Sequence, residues 1–320
     1  MGLNQARRKH SVRAMLRRWM LFIAAVLLAG CGRSQSPVVV VYTSQDEVFA
    51  EPILAEFEKE TGIHTRAVYD SEAVKTVGLV NRLLTERSHP QCDVFWNNEE
   101  FRTRQLAAHN VFRQTNAWTH LGYRTRRIVI NTNLLTAATA PRTFSDATNQ
   151  IWRGKVALAY PLFGTTATHF HALRQRWGVA AWENWCRAAA ANKPFLVDGN
   201  SVVVKMVSRG EAWWGFSDSD DIAGAQREGL PVAALPMTDE TLFIPNTVAV
   251  IRDCPHPEAA ERLYEFISDP KVSGKLVELR ALEGVTLEPA TAAAGLQVDW
   301  EKLLRDLDAV TEKTKEIFLR

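Results

Sequence analysis

Between Val38 and Ala108, short apolar runs alternate with segments whose apolar residues recur every three or four positions. Val38 to Tyr42 is a continuous apolar run, the pattern of a strand covered on both faces. Phe49, Ile53, Leu54 and Phe57 then repeat at helical spacing, and Ser44 with Glu47 matches a capping box at the start of that helix. Thr61-Gly62 closes it. Ile63 to Tyr69 reads as a second strand, Val74, Val77, Val80 and Leu84 as a second helix, Cys92 to Trp96 as a third strand and Glu99 to Ala108 as a third helix. Strands separated by helices cannot pair as hairpins. This order therefore demands a parallel sheet with helices on both faces, an α/β fold.

The alternation breaks after Val111. Strands are expected at Arg127 to Asn131, Val156 to Ala159, Ala212 to Phe216, Val232 to Leu235 and Leu242 to Ile251, the last interrupted at Pro245. Helices are expected after Gly164-Thr165-Thr166, around Trp182 and Trp185, after Asn200-Ser201, from Pro257, from Asp269-Pro270 and from Trp300 to Phe318. With no low-complexity linker, this predicts two lobes between which the chain crosses more than once. Lobe 1 holds 38–126 plus 248–285, lobe 2 holds 132–241 plus 288–320, and the crossovers are 127–131 and 242–247. A ligand then belongs between the lobes, at strand ends and helix N-termini.

The first 30 residues carry six basic side chains and no acidic one, followed by the apolar run Trp19 to Gly30. At 12 residues that run is short for a membrane span but fits the apolar region of a secretory signal. It ends Leu28-Ala29-Gly30-Cys31, which resembles the bacterial lipobox. Residues 1–30 are expected to be removed, Cys31 acylated, and 31–37 left as a tether to the membrane. The remaining 290 residues hold 32 basic and 36 acidic side chains, a net of −4, which argues against a nucleic-acid partner. Cys92, Cys186 and Cys254 are left, an odd number in no metal-binding spacing, and read either as buried free thiols or as at most one disulfide with a thiol left over.

Five segments, VVVYTSQDEVFAEPILAEFEKETGI, CDVFWNNE, GKVALAYPLFGTT, DGNSVVVKMVSRGEAWWGFSDSDD and IPNTVAVIRDCPHPEAAERLYEFI, occur in that order. Together they resemble the solute-binding proteins of ABC importers, in the cluster named for ferric iron binding proteins. The resemblance implies a two-lobed type II periplasmic-binding-protein fold, each lobe a mostly parallel sheet flanked by helices. It also implies a monomeric receptor on the periplasmic side of the bacterial envelope, a small-molecule or metal ligand, an ABC permease as partner and no catalytic residues or cofactor.

The same resemblance places ligand contacts at four turns. After the first strand they include Ser44 and Asp46; after the third, Trp96, Asn97, Asn98 and Glu99. An anion subsite is implied at Gly164, Thr165 and Thr166 and at Asn200 and Ser201, where helix N-termini offer backbone N–H groups. Arg124 and Arg126 match basic positions near the cleft, and Asn246 lies in the returning crossover. The family's ferric ligands are adjacent tyrosines, and this chain has none side by side. Their place is taken by Asp218, Ser219, Asp220 and Asp221.

Three carboxylates in four residues suit a hard cation, with Glu99, Asp218 and Asp220 as ligands and Asn97 and Asn98 completing the shell. The same turn could instead bind an organic amine or hydroxyls, cap the following helix, or pair with Arg124 or Arg126. His169 and His171, two apart on a helix, are not a chelating pair. The ligand classes left open are a metal ion with an anion and a phosphorylated or zwitterionic organic compound. A secreted enzyme on a similar scaffold and a receptor feeding a membrane sensor are the alternative functions; GxSxG, HExxH, CxxC and Walker patterns are absent from the sequence.

Overall fold

The computed structural model describes residues 37–70, 77–113 and 117–319. The signal segment, Cys31 and nearly all of the tether therefore lie outside the described residues. The first half builds as its alternation requires. Strands β1 (Val38–Thr43), β2 (His64–Tyr69) and β3 (Val94–Asn97) pair in parallel in the order β2-β1-β3. Helices α1 (Glu47–Thr61), α2 (Val77–Glu86) and α3 (Glu100–Ala108) follow them in turn.

The second half contains β5 (Val156–Ala159), α4 (Gly164–Trp177), α5 (Val179–Ala191), β6 (Phe195–Val197), α6 (Asn200–Ser208), β7 (Trp214–Asp218), α7 (Ser219–Arg227) and β8 (Val232–Leu235). Here β6, β5 and β7 are again parallel. The two halves are joined by β4 (Thr119–Asn131) and β9 (Phe243–Val250), and every antiparallel ladder involves one of these two strands. Within β4, residues 119–125 pair with β9, and from Arg126 onward the strand pairs with β7 and β8. The chain thus changes halves between Thr125 and Arg126, and the ladders link into one network through β4. Helices α8 (Pro257–Ser268) and α9 (Pro270–Glu278) return to the first half, followed by the short α10 (Pro289–Ala293). Helix α11 (Trp300–Phe318) lies along the seam. Leu303 and Leu307 cover Phe101 of α3, while Val310 and Phe318 join the core of the second half.

Three details depart from the sequence reading. β4 begins at Thr119, eight residues before the expected start. β9 runs unbroken through Pro245. Tyr123, the residue opposite Pro245, sends its N–H to Gly284 O and accepts from Glu283 N–H, so this pair makes no ladder bonds and the missing proline N–H costs nothing there. The neighbouring Gly122 sits at φ 142° in a bulge, and a Cβ there would come 2.5 Å from Gly284 O. Finally, α1 starts at Glu47 with Asp46, not Ser44, at its N-cap, and the Ser44 hydroxyl bonds Asn97 and Asn98 instead. The three described cysteines are free thiols; Cys92 and Cys186 are buried as expected, while Cys254 is only partly so.

Candidate functional site

Residues two apart on a strand share a face. Arg124 and Arg126 of β4 therefore point the same way, and the residue opposite Arg126 in β7 is Asp218. Arg126 Nη1 lies 2.7 Å from Asp218 Oδ1, and Arg124 Nη2 lies 3.1 Å from Asp218 Oδ2. Arg124 also pairs with Asp220. All four side chains are buried. Burial alone would raise Asp218, but Arg124 and Arg126 beside it hold its carboxyl below the usual range. Burial would lower Arg124, and Asp220 and Asp218 outweigh it and raise it. Two buried cations thus face two buried anions, with the partly exposed Asp221 carboxylate close by.

Polar side chains complete the cluster. Thr165 Oγ1 donates to Asp218 at 2.8 Å, Arg126 donates to Asn200 Oδ1 at 2.8 Å, and Asn200 Nδ2 reaches Thr165 Oγ1 at 3.0 Å. Thr166 Oγ1 donates to Asn200 Oδ1 at 3.1 Å. Ser219 Oγ accepts from Thr125 N–H at 3.2 Å.

A small cleft, part of it open to solvent, lies over this cluster. Asn98, Arg124, Gly164, Thr165, Thr166, Asn200, Asp218 and Asp221 of the expected residues line it. The N-termini of α4 and α6 both face it, and neither is capped by a side chain. Their first backbone N–H groups are the kind of donors that anions accept. The Asn98 side-chain nitrogen is buried with no protein partner at the edge of the same cleft. Sequence reading missed Ala159, Tyr160, Phe163, Asp198 and Gly199, which also line it. Their signal was position: they end or follow β5 and β6, at the strand ends where α/β folds place ligands.

Other expected contacts turn inward. Trp96 is part of the first half's core. Asn97 bonds Ser44, Thr103 and the Glu99 carbonyl. Ser44 Oγ accepts Asn98 N–H at 3.0 Å. Glu99 is the N-cap of α3, accepting Phe101 N–H at 3.0 Å, and meets Thr168 Oγ1 of α4 at 3.3 Å. Asn246 is buried opposite Gly122. Asp46 and Ser201 border a neighbouring cavity instead.

For a metal, oxygen atoms of Asp218, Asp220 and Asp221 lie within 4.8 Å of one another. Glu99 is not among them, and Asp218 and Asp220 are already bound to arginine, so a cation there must displace guanidinium groups. The cap alternative also resolves differently from the sequence reading: Asp218 occupies the N-cap position of α7 but makes no side-chain cap bond.

Residues 38–278 match the family model for bacterial extracellular solute-binding proteins. The chain belongs to that family. Solved structures agree on the fold. Iron-bound HitA from Pseudomonas aeruginosa is 16% identical with a TM-score of 0.75, covering 87% of this chain and 99% of its own. The periplasmic binding protein AfuA from Actinobacillus pleuropneumoniae, with fructose-6-phosphate bound, is 16% identical with a TM-score of 0.76, covering 89% and 99%. Apo ferric ion-binding protein A from Pasteurella haemolytica is 19% identical with a TM-score of 0.72, covering 88% and 97%. No curated protein matches the sequence. The chain is therefore a bacterial extracellular solute-binding protein with the type II periplasmic-binding-protein fold, and its family is one of binding proteins. Among the described residues no helix is long and apolar enough to cross a membrane.

Proposed function

We propose that this protein is the lipid-anchored receptor of an ABC importer and that its solute carries an anionic group, such as a phosphate, bound at the starts of α4 and α6. Cys31 would hold it to the membrane, the halves joined by β4 and β9 would close on the solute, and an ABC permease would receive it. The observation that carries the ligand class is the convergence of two helix N-termini, neither capped by a side chain, on one cleft beside buried Arg124 and the Asn98 amide. AfuA with its sugar phosphate supports the same class. A ferric ion is disfavoured: the aspartates are paired with arginine, and Tyr160 is the only tyrosine among the described residues lining the cleft.

Calorimetry with inorganic phosphate tests this. Wild type should bind it, and Asn98→Asp should lower the affinity by roughly tenfold or more, because a donor becomes a like charge facing the anion. Phosphate binding that Asn98→Asp leaves unchanged, or ferric binding without any anion, would count against the assignment.

A further inference from the structure

We propose that the solute has an apolar organic body, an alkyl chain or a single aromatic ring, held in a second subsite between α1, α6 and α7. The inference rests on the anion reading above. A roomier cavity, part of it open to solvent, borders the anion cleft, and Asp221 lines both. Its apolar walls come from the two halves: Val48 and Phe49 from α1, Val204 from α6, Ala225 and Leu230 from α7 and its exit.

Val48 is 67% exposed and Leu230 36%. Single exposed apolar side chains are ordinary, but these two meet from opposite halves at one cavity beside a ligand cleft, which is apolar surface with an occupant to cover. Phe49 adds an aromatic wall, with the Arg227 guanidinium 5.8 Å from its ring centroid. The rim of this cavity carries both signs, Lys205 and Arg227 against Asp46, Asp220, Asp221 and Glu228, so what it offers an organic body is its apolar walls, while the anionic end has the uncapped helix starts next door. The connection is short. Asn200 at the start of α6 borders the anion cleft and Val204, one turn on, borders the second cavity. Four residues of helix span roughly 6 Å, the reach of one ring or a short chain.

Gly224 offers a clean test. It lines the second cavity and not the first, and a Cβ built there meets nothing closer than Arg227 Nη2 at 4.0 Å. Gly224→Phe should therefore fill the subsite. Calorimetry on the full protein would compare inorganic phosphate, butyl phosphate and phenyl phosphate. Butyl or phenyl phosphate should bind roughly tenfold tighter than inorganic phosphate, from the apolar area buried. Gly224→Phe should reduce that gain to about twofold or less while the affinity for inorganic phosphate stays within about twofold. Val48→Asn, at an exposed position the fold tolerates, should cut the gain by roughly threefold and serves if Gly224→Phe does not fold. If both organic probes bind no tighter than phosphate, or the gain survives both variants, the subsite is wrong and the anion reading stands. If wild type binds none of the three, the anion reading fails and the subsite falls with it.

Discussion

Arg126→Ala should lower the unfolding free energy by about 3–5 kcal/mol, the usual result of removing one partner from a buried ion pair. Arg126 is fully buried, and its Nη1 serves Asp218 and Asn200 at 2.7 and 2.8 Å. Without it the cluster holds two carboxylates against one guanidinium, in a place where water cannot make up the loss. Thr165, Asn200 and Arg124 still contact Asp218, so the carboxylate is not bare, but its charge is no longer balanced. The double variant Arg126→Met/Asp218→Asn should recover a good part of the loss, because it removes the stranded charge along with its partner. Urea unfolding followed by tryptophan fluorescence measures both. A cost under about 1 kcal/mol for Arg126→Ala would mean the network is not what holds β4 to β7.

This network shows where sequence reading stops. The parallel strands of the first half were legible because each is a short apolar run between helical repeats, a local pattern. The starts of α4 at Gly164 and α6 at Asn200 were legible for the same reason, with both helices beginning at a glycine or asparagine turn. The early part of β4 was not, because Tyr123, Arg124, Thr125 and Arg126 carry too much polarity to look like a buried strand. The two arginines are buried only because Asp218 and Asp220 arrive from residues more than 90 positions away. The acidic turn had the same ambiguity in reverse. Ser44 read as a helix cap from its spacing to Glu47, yet its hydroxyl is drawn to Asn97 and Asn98, 53 and 54 residues on. A local motif loses to a distant partner when the partner offers a buried hydrogen bond.

Acidification from pH 7 to pH 5 should cost the fold about 2 kcal/mol at each of His169 and His171. Both rings lie on α4, two residues apart and in different surroundings. His169 bonds the Glu240 carbonyl through Nε2 at 2.9 Å and packs on Phe144, while His171 packs against Phe101. Neither Nδ1 has a protein partner. Burial, helped by Arg126, pushes His169 down to about 3; burial, helped by Arg102 and Arg174, does the same for His171. Above pH 6.5 both rings are neutral folded or unfolded, so they cost nothing. Below 6.5 the unfolded chain takes up protons that the folded chain refuses, and stability falls with each unit until about pH 3. Glu99 works against this trend, since burial raises its carboxyl and protonation relieves that cost. Wild type alone therefore reports a sum. The variant His169→Gln/His171→Leu isolates the histidines: the introduced glutamine keeps a donor for the Glu240 carbonyl, and neither new side chain titrates. Its stability should lose about 4 kcal/mol less than wild type between pH 7 and pH 5. Equal losses in the two proteins would show that the buried rings take up protons as freely as exposed ones, and that α4 is open to water where the structure packs it shut.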